Sequence, residues 1–205
     1  MPYHDKTLLG LTGNIACGKS TVTRQLRELG ADVIDADSLI HDILLRGGPA
    51  FEPVVEEFGE GILGPDGEID RRALGNIVFN DPEKLRRLEA IEHPIVRRII
   101  DERIGSSPRA IVVLDAIKLI ESGWAAKCDS VWVVTCGREQ QIDRLVRTRQ
   151  LSLSEAEARV DAQSAQELKV KAAGVVIDNS GSRKETSRQV EEAWRELGLS
   201  GELYA

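Results

Sequence analysis

Cysteine is scarce in this chain of 205 residues, with Cys17, Cys128 and Cys136 the complete set. An odd count this low speaks against a disulfide framework, and the lack of a C-x-x-C pair speaks against zinc and thioredoxin-type chemistry. Free thiols in a reducing compartment are expected. Aromatic residues make up only 4%, so the core must be assembled from Leu, Ile, Val and Ala. Positive charge is also in deficit: 27 Lys and Arg face 34 Asp and Glu, for a net charge of −7. A dedicated nucleic-acid binder needs a basic surface to neutralise phosphates, so that class is disfavoured. A small anionic ligand held by a few local Arg residues is still allowed. No run approaches the ~20 apolar residues of a membrane span. The opening residues, Met1 to Lys6, lack the basic-then-apolar pattern of a signal peptide. The expectation is a cytoplasmic protein with no membrane partner, either a monomer or a small homo-oligomer.

What is present suits one α/β core with room for a small insertion. Residues 7–11 form a short apolar run ending in Thr12-Gly13, as a buried strand does. A helix follows over about 19–29, stopped by Gly30, and then a second strand over 31–35. Asp37 or Ser38 is placed to cap a helix reaching Leu45, which Gly47-Gly48-Pro49 ends. From about 49 to 104 the character changes to mostly helical patterns, including 71–79 and a longer helix opened by Asp81-Pro82. Pro94 should break or kink that helix near His93. Strand patterns resume at 110–115, 130–135 and 175–177, separated by helices at about 139–149 and 155–172, with a last helix over 184–197. Strands alternating with helices imply a doubly wound parallel sheet of about five strands.

Gly13-Asn14-Ile15-Ala16-Cys17-Gly18-Lys19-Ser20 satisfies the pattern G-x-x-x-x-G-K-[ST] of a phosphate-binding P-loop. Its place between a strand and a helix is the context that gives the pattern meaning. Backbone N–H groups at the helix N-terminus cradle a phosphate, and the helix dipole adds positive potential. Lys19 reaches the terminal phosphates of a nucleotide, and the Ser20 hydroxyl is placed to hold Mg²⁺. Cys17 lies at the same helix N-terminus, which would lower its pKa. A small residue filling a tight loop is the stronger reading.

No N-K-x-D base-recognition element points to a GTPase, and the length leaves little room for motor or effector regions. A small-molecule kinase needs an acid near the acceptor hydroxyl, Arg to neutralise the moving phosphoryl group, and a cover against water. Asp35 and Asp37 end the second strand, where ligands bind in open α/β sheets. Asp35 reads best as a helix cap, and Asp37 as the catalytic carboxylate that orients the hydroxyl and accepts its proton. Arg144, Arg147 and Arg149, followed by Ser152, resemble the start of a phosphate-clamping lid, although such runs are often solvated helix faces.

Taken together the chain resembles the dephospho-coenzyme A kinase family over nearly its full length. The elements are LTGNIACGKSTV, then VIDAD at 33–37, DRRAL at 70–74, His93-Pro94, Glu121, the lid start at Arg144, Gln163, and IDNSG at 177–181. The resemblance implies a P-loop NTPase-type three-layer α/β fold with a helical insertion and a lid. The nucleotide-binding core would span 1–48 and 105–205, the acceptor-binding insertion 49–104, and the lid about 144–170. It further implies ATP and Mg²⁺, and transfer of a phosphoryl group to the ribose 3′-hydroxyl of dephospho-coenzyme A. Carried over by position, Asp37 would orient that hydroxyl and take its proton, and Lys19 and Arg144 would stabilise the transferring group. Asn14, Ile15, Ala16, Cys17, Gly18, Lys19, Ser20, Thr21 and Arg144 would bind ATP, with Asn179 and Gly181 near its adenine. Thr12, Arg72 and His93 would lie near the acceptor.

The chain departs from the family's usual loop, Gly-Gly-Ile-Gly-Ser-Gly-Lys-Ser, at Asn14, Ala16 and Cys17. Losing two Gly should restrict the loop and keep its donors. Lys118 adds a cation after the third strand, to contact an acceptor phosphate or to face solvent, and Thr148 stands where a second lid Arg is frequent. Two alternatives accompany this reading: another small-molecule P-loop kinase acting on a nucleoside monophosphate or a sugar, and a non-catalytic nucleotide sensor.

Overall fold

The structure is a computed structural model that describes residues 6–202. Among these, the strands β1 (Thr7–Gly13), β2 (Asp32–Asp35), β3 (Ile111–Asp115), β4 (Ser130–Thr135) and β5 (Val175–Asp178) form one sheet in the order β2-β3-β1-β4-β5. Pairings of β1 with β3, β1 with β4, and β4 with β5 are parallel. The first strand is therefore central. Its carboxyl end lies where the strand order reverses, the usual ligand position of an open α/β sheet.

Central strands must be apolar on both sides, and these are. Leu9, Leu11, Val113, Trp132, Val134 and Ile177 pack in one buried cluster with Val22 and Leu26 of helix α1 (Lys19–Glu28) and Val190 and Ala193 of helix α9 (Arg183–Glu202). The alternate residues Leu8, Val112, Leu114, Val131 and Val133 are buried as well. Alternating side chains thus fill a layer on each face, which explains the near-continuous apolar runs.

The chain forms two compact units. One contains the described residues up to Ile34 and from Ser107 onward, and the other runs Asp35–Ser106. The second unit is helical, with α2 (Ala36–Ile43), α3 (Phe51–Phe58), α4 (Arg71–Val78) and α5 (Pro82–Ser106), plus one antiparallel bridge between Leu63 and Ile69. In it α5 packs against α2, α3 and α4.

Of the two cap readings for α2, the one that gives the role to Asp35 holds and the one that gives it to Asp37 or Ser38 does not: the Asp35 carboxylate accepts the Ser38 N–H at 2.9 Å, because Asp35 is the last extended residue before the helical turn. Two further local expectations change. Pro94 does not break α5, which runs unbroken for 25 residues. Proline removes one helical hydrogen bond, and the apolar stripe Leu88, Val96, Ile100 and Ile104 buried along the helix outweighs that loss. The helix anticipated over 155–172 is two, α7 (Leu153–Asp161) and α8 (Gln166–Lys171), following α6 (Arg138–Arg149). The interruption has a physical cause: Gln163 turns its side-chain carbonyl onto the backbone N–H of Ile15 at 2.7 Å.

Glu92 occupies a position in the α5 stripe that its spacing reserves for an apolar side chain. It is 8% exposed. Burial pushes its carboxyl up to about 7, with Glu89 adding to the rise and Arg71 opposing it. A raised carboxyl favours the fold while protonated. Its contribution is fully present below the unfolded pKa near 4.5 and is lost as pH rises through about 7. Glu92→Gln should therefore match the parent in thermal melts at pH 4.5 and exceed it at pH 8. The gain should be roughly 2–4 °C for each kcal/mol recovered. Equal shifts at both pH values would show that ionisation is not the cause.

Candidate active site

Between β1 and α1, residues 13–20 form a tight loop whose shape is set by steric limits and hydrogen bonds. A Cβ on Gly13 would lie 2.5 Å from the Val134 carbonyl oxygen, so only glycine lets β1 run into the loop beside β4. Gly18 has φ +96°, and a Cβ there would meet the Asn179 side chain at 1.9 Å. The Cys17 N–H donates to the Asn14 carbonyl at 3.2 Å, and Thr21 N–H donates to the Gly18 carbonyl at 2.9 Å. The loop thus closes on itself before entering the helix.

Two side chains hold it from outside. Arg144 Nη1 donates to the carbonyls of Ala16 at 3.1 Å and Cys17 at 3.0 Å, while its Nη2 donates to the Asn179 carbonyl at 2.8 Å. Asn179 Nδ2 donates to the same Cys17 carbonyl at 2.8 Å, and Thr186 donates to Asn179 Oδ1 at 2.8 Å, fixing the amide's orientation. A peptide unit is planar and trans, so a C=O pinned on one side turns the next N–H to the other. Pinning Cys17 C=O in this way aims the Gly18 N–H away from Arg144 and Asn179. An anion at the N-terminus of α1 is the group such an arrangement serves.

Lys19 forms a salt bridge with Asp115 at the end of β3, and the other Asp115 oxygen accepts from Thr23 Oγ1 at 2.8 Å. The carboxylate orients the ammonium, and Thr23, one turn along α1, orients the carboxylate. Ser20 is exposed in the first turn of α1. Its hydroxyl and the Asp115 carboxylate are hard oxygen donors of the kind Mg²⁺ takes. Among the described residues no group of three or more His, Cys, Asp or Glu could hold a metal. A P-loop magnesium needs none, since substrate phosphates and water supply most of its shell.

The remaining predicted residues divide between the two units. Thr12 is buried and donates to the Ile117 carbonyl at 3.0 Å, at the end of β1. Lys118 is exposed in the turn after β3. Gly181 lies in the turn between β5 and α9, where a Cβ would come within 2.4 Å of Glu185. In the helical unit, Asp37 is exposed in the first turn of α2, Arg72 is exposed near the start of α4, and His93 is exposed midway along α5. Hydrogen bonds therefore unite the loop, Arg144 and Asn179 within one unit, with Thr12 at the loop's entry bonded instead to Ile117. Arg144 in particular spends its donors on loop carbonyls.

Cys17 is fully buried, and its thiol is pushed up to about 11, chiefly by that burial, while the Lys19 backbone N–H lowers it by less. The helix N-terminus does not dominate. Sequence reasoning also passed over Thr23, Thr186 and Lys169, whose partners lie far along the chain. Asp115 carried a usable signal: an acidic residue closing an otherwise apolar strand.

The family model described as dephospho-CoA kinase matches residues 7–185. A dephospho-CoA kinase from Symbiobacterium thermophilum is 51% identical over 191 residues, covering 92% of this chain and 80% of its own length. Among solved structures, TT1252 from Thermus thermophilus superposes with a TM-score of 0.83 at 36% identity, covering 94% of this chain and 98% of that one. A dephospho-CoA kinase from Campylobacter jejuni gives 0.69 at 31% identity, over 96% and 99% of the two chains.

A thiol raised this far is a poor nucleophile at neutral pH. At pH 7.5, iodoacetamide should modify native Cys17 at least roughly 100-fold more slowly than a free thiol, and readily in urea. Fast labelling of the native protein that nucleotide blocks would contradict the buried assignment.

Proposed function

The chain belongs to the dephospho-CoA kinase family, and from that premise we propose that it transfers the γ-phosphoryl group of ATP to the ribose 3′-hydroxyl of dephospho-coenzyme A. The observation that carries the donor half is the phosphate cradle at the end of β1, with its carbonyls pinned outward and Lys19 oriented by Asp115. In the reaction the acceptor oxygen forms a bond to the γ-phosphorus, the bond from phosphorus to the ADP oxygen breaks, and the hydroxyl proton leaves to a base.

Asp37 is our base. It is an exposed carboxylate two residues beyond β2, with Asp35 already taken as the helix cap. Lys19 stabilises charge developing on the transferring group and on the leaving β-phosphate. Arg144 acts through the loop it holds and through its own charge. Ser20 would hold Mg²⁺, with the Asp115 carboxylate as its outer partner; the ion neutralises phosphate charge when bound. Loop residues 14–21 take the phosphates, and Asn179 and Gly181 take the adenine side. Thr12, Arg72, His93 and Lys118 serve the acceptor, with the helical insertion as its binding domain and residues from about 144 to 170 as the lid.

The excess of acidic residues supports an enzyme with no nucleic-acid partner. Among the described residues no helix is long and apolar enough to cross a membrane. We assign it to the cytoplasm as a monomer or small homo-oligomer.

Coupled ADP release should require dephospho-coenzyme A, and no nucleoside monophosphate or sugar should replace it. Asp37→Asn should lower kcat at least about 100-fold, with ATP affinity nearly unchanged. Lys19→Ala should damage both. Full turnover by Asp37→Asn would remove that residue from the role.

A further inference from the structure

Lys169 is a lysine only 3% exposed, on the short helix α8 that packs against β1 and β4. Its ammonium donates to the Ile117 carbonyl at 2.7 Å, the same oxygen that accepts from the Thr12 hydroxyl at 3.0 Å. It also lies 3.9 Å from Glu121 Oε1, and that carboxylate oxygen accepts from Ser164 Oγ at 3.1 Å. The Ser164 carbonyl in turn accepts from Asn14 Nδ2 at 3.2 Å. Thr12 and Asn14 flank Gly13, so these contacts close a ring that leaves the end of β1 and returns to the phosphate loop.

Burying an ammonium carries a large desolvation penalty. An apolar side chain would fill the space without that cost. The charge does something packing cannot: it orients the peptide linking Ile117 to Lys118. We propose that Lys169 is a positioning residue for the acceptor, setting the Ile117–Lys118 peptide and, through the shared carbonyl, the Thr12 hydroxyl. This rests on the reading that Thr12 and Lys118 face dephospho-coenzyme A. Lys169 itself reaches the Ile117 carbonyl and Glu121, and meets the phosphate loop only at the far end of the ring, through Ser164 and Asn14, so its loss falls first on the acceptor side.

Steady-state kinetics with varied dephospho-coenzyme A at saturating ATP, alongside ATP titration without acceptor, would test it. Lys169→Met should lower kcat/KM for dephospho-coenzyme A roughly 10- to 100-fold, while the ATP dissociation constant moves less than about twofold. Lys169→Arg should recover part of the loss. Combined with Thr12→Val, Lys169→Met should cost less than the product of the two single effects, because both side chains act on one carbonyl. Should Lys169→Met not fold, Lys169→Gln, which keeps a donor, takes its place with the same expectations on a smaller scale. Equal losses for ATP and acceptor, no rescue by Arg, or strictly multiplicative effects would overturn the proposal. An acceptor KM untouched by Thr12→Val would sink the acceptor-side reading beneath it. An effect of Thr12→Val with none from Lys169→Met would sink the positioning role alone.

Discussion

The Cys17 carbonyl is the point on which the site depends. Arg144 and Asn179 reach it from different elements, one from α6 and one from the end of β5, and each is itself held by a further partner. Isolated, a loop of this kind samples many arrangements of its amides, and an anion would have to order it. Anchored to a carbonyl from behind, the amides are arranged before any phosphate arrives. The ordering cost then falls on folding, where the buried cluster of β1, β3, β4 and β5 is large enough to meet it.

That dependence explains the division of labour between the strands. Central β1 supplies the loop, β3 supplies Asp115 for Lys19, and β5 supplies the approach to Asn179. Each contribution comes from a carboxyl-terminal strand end, and parallel pairing brings those ends to one edge of the sheet. The site is a consequence of strand order.

Much of this was legible before any coordinates. The loop pattern, the apolar runs and the cap at Asp81 are local signals, and local physics decides them. Asp35 was legible as a cap by the same logic. Pro94 misled because a proline's penalty is local, whereas the stripe that outweighs it runs from Leu88 to Ile104. The split between α7 and α8 was hidden for the opposite reason: Gln163 leaves the helical path to satisfy a backbone N–H that lies 148 residues away in sequence. Arg144 looked like a group aimed at a moving phosphoryl, and only the fold shows how many loop carbonyls it serves. Lys169 gave no sign at all, since a lysine in a polar helix reads as solvated until its neighbours are known.

Ala16 adopts φ +57°, a left-handed conformation that costs a non-glycine residue about 1–2 kcal/mol. Its carbonyl is one of those gripped by Arg144. A methyl group in that position narrows what the segment can do when the grip loosens, since fewer backbone states are open to it than to glycine. The loop of this chain is thus stiffer than one with glycine at that position would be, and it should lose its shape by letting go of the arginine rather than by gradual softening.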